Sequence, residues 1–299
     1  MKNSLLTSLA IDGYCVVPDM YDFESEDYDD NGECFNNSEG EALKEEILDW
    51  LKEAKVPYST HGVVKHYQVG HQRFQWFSRT NENVIEAFSK VYGTEDLVVS
   101  FDGIGYVPQG SKRRDNFWMH TDQAPNSLGF KSVQGVLSFT DNFTNTFKCI
   151  KGSHLLHQAY FSKNQVPKAK QSKNWYPLPS KENWSDFSGG YHETVVPLKK
   201  GDLLLFDSRL FHQNSQGGSE ERLVQYLAYL PKSMRSENQR QKRLTYFNER
   251  RTTSHWAYPV SVNSLQPQTY GDLSKVIKYE DLPEIDLQDL NFEMILDLI

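Results

Sequence analysis

Apolar and polar positions divide the chain into a helix-rich first third and a β-rich remainder. "EALKEEILDWLKEAKV" (41–56) sets Leu43, Ile47, Trp50 and Leu51 at helical spacing, which leaves one face apolar and the other charged. "NENVIEAFSKVYG" (81–93) predicts a second helix of this kind, and "LLTSLAIDGYCVVPDM" reads as a short helix, a Gly turn and a short strand. From "DLVVSFDGIGYV" onward, short β-rich runs alternate with turn residues: "VQGVLSFTD", "TFKCIKG", "TVVPLKKGDLLLFDS" and "RLVQYLAYLP". That spacing predicts a sandwich or barrel. Helices first and strands later predict a β core with helical buttresses, not alternating βαβ units.

Residues 19–41 are densely acidic and poor in aliphatics, and read as a solvated insertion; an EF-hand template does not fit them. Residues 232–251 read as a helix, with Ser236 and Gln239 spaced for a capping box. Lys and Arg are frequent there. A solvated helix face accounts for them, with a phosphate-binding run as the second reading. The tail "YEDLPEIDLQDLNFEMILDLI" contains two short acidic amphipathic pieces that would pack outside the core. With no repeat or long linker, the expectation is one domain over 1–299. Its β core would span 95–231 and carry the site, and 232–299 would be a helical and extended decoration.

Composition narrows the function. Hydrophobic residues are 38% and aromatic residues 13%, enough for a substantial core. The net charge of -8 argues against a general nucleic-acid binder, which needs excess cations against phosphates. Cys15, Cys34 and Cys149 are odd in number and far apart, so neither a disulfide framework nor a CxxC metal site is indicated. The N-terminal stretch lacks the apolar run of a signal peptide, and no segment approaches the roughly 18 apolar residues of a membrane span. The expectation is a soluble cytoplasmic protein, away from membranes.

The chemistry is concentrated in "FWMHTDQAP" (117–125). Strand side chains repeat direction every second residue, so His120 and Asp122 would point the same way if this stretch is extended. His212, among polar residues after the buried strand "LLLF", is a candidate third ligand. Two histidines and one carboxylate make the facial triad that holds Fe(II) and leaves the remaining positions open. Arg222 follows at the start of "RLVQYLAYL". Its permanently charged planar fork suits a carboxylate.

This order of His-x-Asp, distant His and then Arg resembles the phytanoyl-CoA dioxygenase-like family of Fe(II)/2-oxoglutarate oxygenases. "VQGVLSFTDNFTNTFKCIKGSHLLH" and "LKKGDLLLFDSRLFHQNSQGGSEERLVQYLAYLP" are similar to that family's central and closing segments. The likeness covers roughly residues 95–231. It implies a double-stranded β-helix, a jelly-roll core flanked by helices. It implies iron ligation by His120, Asp122 and His212, and a salt bridge from Arg222 to 2-oxoglutarate. Asn214, Phe117 and Gln134 match positions beside that co-substrate; Trp118, Gln123 and Arg209 are candidate substrate contacts. Related halogenases replace the carboxylate ligand with a small residue, so Asp122 points to hydroxylation or another oxidation. The implied cofactors are Fe(II), 2-oxoglutarate and O2, with ascorbate in a supporting role. The implied substrate is a small or medium-sized molecule. Two other classes stay open: a non-catalytic jelly-roll binding or scaffold module that retains the pocket, and a metal-dependent isomerase or hydrolase on a cupin-like core. The triad together with Arg222 argues against both.

Other histidines weigh less. His61, His66 and His71 are spaced five apart, which fits neither a strand face nor a helical pair. His154 and His157, in "GSHLLH", read as a turn or a rim. Asp207 is placed either to orient a ring nitrogen of His212 or to cap its turn.

Overall fold

The computed structural model describes residues 2–28, 34–36, 38–56, 62–111, 114–263, 265 and 278–299. The chain opens with α1 (Lys2–Asp12), β1 (Tyr14–Val17), β2 (Glu26–Tyr28), β3 (Cys34–Asn36), α2 (Glu39–Glu53) and β4 (Val63–Val64). Gly13 ends α1 at φ 84, a left-handed conformation that glycine adopts without steric cost. Then come α3 (Arg73–Arg79), α4 (Glu82–Tyr92), β5 (Leu97–Val99), β6 (Ile104–Val107), β7 (His120–Thr121), β8 (Val133–Ser138) and β9 (Asn142–Cys149). Asn81 caps the start of α4, accepting from the Val84 amide, and Gly93 closes its end. The final stretch holds α5 (His157–Lys163), α6 (Lys168–Gln171), β10 (Tyr176–Pro177), α7 (Lys181–Ser188), β11 (Thr194–Leu198), β12 (Leu203–Asp207), β13 (His212–Asn214), β14 (Arg222–Pro231), α8 (Glu237–Asn248) and α9 (Phe292–Asp297).

Two antiparallel sheets face each other. The larger runs β1-β12-β8-β14-β6-β4, with β5 also paired to β14; the smaller runs β10-β7-β13-β9-β11. Pro197 is tolerated because β11 is an edge strand, where a missing N–H costs no ladder bond. The larger sheet is buried on both faces, and alternation explains its long apolar runs. Leu203 and Leu205 face one core with Leu137, Leu227 and Tyr229, which Ile47 and Phe88 from α2 and α4 cover. Leu204 and Phe206 face the other core, between the sheets, with Val136, Phe147, Val224 and Tyr226.

The β core is wider than the sequence suggested. β1 and β4, both before residue 95, complete the larger sheet. Part of the acidic insertion forms the β2–β3 hairpin; its residues 29–33 and 37 lie outside the described residues. The capping box of Ser236 and Gln239 is present in α8. The basic run around it is not a free cationic face. Arg243 is fully buried and donates to the carbonyls of Val99, Ala257, Leu298 and Ile299. Lys232 pairs with Asp96 and Asp297, and Arg240 pairs with Glu237. No described helix is long and apolar enough to cross a membrane.

Candidate metal centre

His120 and His212 are cross-strand partners on β7 and β13, and this register brings their rings to 4.4 Å between centroids. Asp122 follows β7, where its backbone is held from both sides. Its N–H donates to the Ser208 carbonyl at 3.0 Å, and its carbonyl accepts from the Trp256 indole at 3.1 Å. One carboxylate oxygen lies 3.5 Å from His120 Nε2 and the other 3.5 Å from His212 Nε2. All three residues are buried, and their ligand atoms lie within 4.8 Å of one another. Among the described residues this is the one such group.

Each histidine is oriented by its own segment. His120 Nδ1 donates to the Trp118 carbonyl at 3.2 Å, and His212 Nδ1 donates to the Leu210 carbonyl at 3.0 Å. A carbonyl can only accept, so Nδ1 carries the proton and Nε2 presents a lone pair toward Asp122. Burial, and then the neighbouring His212, push His120 down to about 3, so its imidazole is neutral. Two imidazoles and one carboxylate suit a divalent metal of intermediate softness.

The cluster opens into a cavity of about 140 Å³ between the sheets, on the order of ten waters in size. Its walls are mainly apolar and aromatic, including Val63, Val136, Phe147, Phe206, Trp118 and Trp175. Trp118 stacks on His120 with centroids 5.0 Å apart and donates its indole N–H to the Asn214 carbonyl. Trp175, half exposed, stands at the mouth with its ring 5.6 Å from that of His120.

The lining residues Gln134, Asn214 and Tyr226 form a polar part of the wall, and Arg222 is bonded to Asn214 there. Arg222 is buried and donates Nη2 to Asn214 Oδ1 at 3.0 Å, while its Nε has no hydrogen-bond partner. The Tyr226 hydroxyl and Gln134 Nε2 are buried and unpartnered too. Unpaired buried donors are costly, which marks a place for an acceptor-rich ligand. Gly105 leaves the space that the Arg222 and Tyr226 side chains occupy. A Cβ there would lie 2.6 Å from both Arg222 Nη1 and the Tyr226 hydroxyl. This donor set and its cradle fit the carboxylate end of 2-oxoglutarate, and the triad fits the iron.

Other predicted residues sit elsewhere. Alternation turns Phe117 away from the cavity, and its ring packs against Tyr191 beside the cluster that buries Met119. Gln123 does not line the cavity. It staples its loop, donating to the carbonyls of Ser127 and Gly129 and accepting from the Ser208 hydroxyl. Arg209 is drawn away by a two-point ion pair with Asp207 (2.9 and 2.6 Å), which also corrects the role considered for Asp207 at His212. His154 bonds the Ala10 carbonyl, and His157 the Gln123 carbonyl. His71 is buried against the Arg251 carbonyl, and His61 lies outside the described residues.

Sequence reasoning missed Asp102, Trp175, Tyr226 and His255, all in the cavity wall. Tyr226 alone had a signal: it repeats the direction of Arg222 along one strand. His255 belongs to the segment expected to be outer decoration.

No family model matches the chain. Ava biosynthesis cluster protein O of Aspergillus versicolor is 32% identical over 198 residues, which cover 63% of this chain and 64% of that relative. The chain thus spans just under two thirds of that relative's length. Among solved structures, EctD from S. alaskensis with 2-oxoglutarate and 5-hydroxyectoine matches with a TM-score of 0.51 and 16% identity, over 78% of this chain and 77% of that one. The epimerase SnoN in complex with Fe3+, alpha ketoglutarate and nogalamycin RO matches with a TM-score of 0.50 and 16% identity, over 77% and 83%. In fold, this chain is a double-stranded β-helix, with a two-histidine, one-aspartate cluster between its sheets.

Proposed function

We propose that the chain is an Fe(II)- and 2-oxoglutarate-dependent oxygenase that oxidises a small or medium-sized organic molecule, with succinate and CO2 as co-products. The observation that carries this reading is the pairing of two features in one cavity. A buried three-ligand cluster lies in the cavity wall, and beside the cavity the Arg222 Nε and the Tyr226 hydroxyl lack partners, with Gly105 close against both residues. A binding module that never turns over has no use for both. Iron and 2-oxoglutarate, the ligands of the SnoN structure, are ligands these two features suit, and the EctD structure too holds 2-oxoglutarate.

When bound, iron with 2-oxoglutarate supplies the oxidising power: O2 is reduced, the keto acid loses CO2 to become succinate, and one oxygen atom is left for the substrate. The chain's own residues do the rest. His120 and His212 offer Nε2 lone pairs in a fixed tautomer, and Asp122 adds a negative charge that offsets part of the metal's. Arg222 and Tyr226, with Asn214 holding the guanidinium, grip the far carboxylate of the co-substrate, and Gln134 offers a further N–H. Trp118, Trp175 and Val63 line the route in and keep water off the reacting centre. Cys15 and Cys149 are buried free thiols, in keeping with work in a reducing cytoplasm.

The test is conversion of 2-oxoglutarate to succinate by the iron-loaded chain under air, read together with metal content. Wild type should bind one divalent ion and form succinate; Asp122→Ala should lose most of both. Equal metal content in the two proteins would refute the assignment, and full metal binding without any succinate would favour a scaffold role.

A further inference from the structure

The same cavity wall holds a second polar pair, buried Asp102 and half-buried His255, that the reaction does not use. His255 Nδ1 bonds Asp102 Oδ2, and Asp102 Oδ1 accepts the Gly103 amide at 2.7 Å. Both carboxylate oxygens are therefore occupied, and Asp102 acts as an orienter rather than as a ligand. The segment carrying His255 is pinned on both sides. Thr253 exchanges two hydrogen bonds with Phe101, at 2.8 and 3.0 Å, and Trp256 holds the Asp122 carbonyl. The imidazole meets the Tyr226 ring edge-on at 5.5 Å. Its side chain is 39% exposed, it lines the cavity, and its Nε2 has no partner among the described residues. Nδ1–H is engaged by the Asp102 carboxylate, which favours the charged ring, and in that form Nε2 also carries a proton and donates. Burial works against the charged ring, but Asp102 outweighs it and raises His255 to about 10, so the donor is an imidazolium.

A charged donor fixed in an apolar cavity has one use: it selects a molecule that brings an acceptor. Resting on the reading of the site as an oxygenase, we propose that His255, oriented by Asp102, is a specificity-determining residue that receives an sp² oxygen, carbonyl or carboxylate, of the substrate. The rest of the substrate is a flat apolar body that fits between Trp175, Trp118 and Val63. The metal and Arg222 sites engage the co-substrate, so this donor is left for the molecule that is oxidised. Asp102 also fixes the ring direction, so the acceptor must enter at a set distance from the cluster. His255 would thereby choose which carbon of the substrate faces the metal.

Three probes of one shape separate the possibilities: benzamide, benzoate and toluene. Each is titrated into the full chain loaded with Zn(II) and 2-oxoglutarate, with histidine ¹⁵N labels read by NMR. Benzamide or benzoate should bind wild type about tenfold or more tightly than toluene, the worth of one charge-assisted hydrogen bond, and should shift the His255 Nε2 resonance. His255→Leu should erase that preference, and His255→Gln, which keeps an N–H, should retain most of it. Should His255→Leu unfold, the glutamine variant and the wild-type shift decide. Equal affinity for all three, no binding at millimolar concentration, or a preference that survives in His255→Leu would overturn the proposal. Failure to bind Zn(II) would instead overturn the oxygenase reading, and the two results are read in the same sample.

Discussion

Replacing Gly105 with alanine should cripple 2-oxoglutarate binding while sparing the metal. Gly105 lies on β6 opposite Val224, and Arg222, Val224 and Tyr226 share one face of β14. A methyl at residue 105 would sit 2.6 Å from Arg222 Nη1, 2.6 Å from the Tyr226 hydroxyl and 2.9 Å from Val224 Cγ2. All three are closer than a Cβ normally approaches anything. Gly105 is not among the glycines at positive φ, so alanine brings crowding and no backbone strain. Val224 is fixed by its strand, so the two polar ends give way. Arg222 then leaves Asn214, its one hydrogen-bonded neighbour. Loss of one charge-assisted hydrogen bond costs about 1.5–3 kcal/mol, a weakening of about ten- to a hundredfold in Kd. Overpacking should add a stability loss of about 1–3 kcal/mol. Calorimetric titration of 2-oxoglutarate into the Zn(II)-loaded variant measures the first effect, and thermal unfolding the second. Metal affinity should hold, because the three ligands lie outside β6 and β14. If Gly105→Ala binds 2-oxoglutarate as tightly as wild type, the cradle is not where the co-substrate sits.

Arg222→Lys should also weaken 2-oxoglutarate by about tenfold or more, since a point charge cannot reproduce the planar fork; unchanged titration curves would remove Arg222 from the site. Arg243→Ala should destabilise the fold by about 3 kcal/mol or more by orphaning the buried carbonyls it serves; a thermal midpoint equal to wild type would contradict this. Stability should fall as the pH drops below about 6.5. Burial above all holds His71 at about 3 and His157 at about 4, so both stay neutral when folded and take up protons when unfolded. Each should cost about 2 kcal/mol by pH 5, and a flat urea-midpoint profile from neutral pH to that value would show the assignment to be mistaken.

The sequence made some of this plain for simple reasons. His120 and Asp122 were legible because a strand's two-residue period places them together, and Arg222 because a guanidinium opening an apolar strand needs an anion. The two faces of the larger sheet were legible in "LLLF" and "RLVQYLAYL", where every position is buried. Nearness in sequence misled for Gln123 and Arg209. Both flank ligands, yet local partners claim them: a loop's carbonyls for one and Asp207 for the other. Asp102 and His255 had no readable pattern, since an ion pair between residues 153 positions apart leaves no period in either segment. Gly105 gave no sign either. A glycine in a strand marks close approach of something, and only the folded chain shows that the neighbours are Arg222 and Tyr226.

The two histidine arms are built alike. In Trp118-Met119-His120 and Leu210-Phe211-His212, the first residue's carbonyl fixes the ring, and the middle residue is driven into the same apolar cluster with Tyr160 and Trp184. Each histidine therefore carries a clamp and an anchor within its own tripeptide. The walls of the cavity can diverge freely while the metal grip stays true, which gives the fold room to take up new substrates. The vulnerability moves to the back of the sheet. A change at Met119 or Phe211, buried in that cluster, would shift the histidine beside it and loosen its hold on the metal.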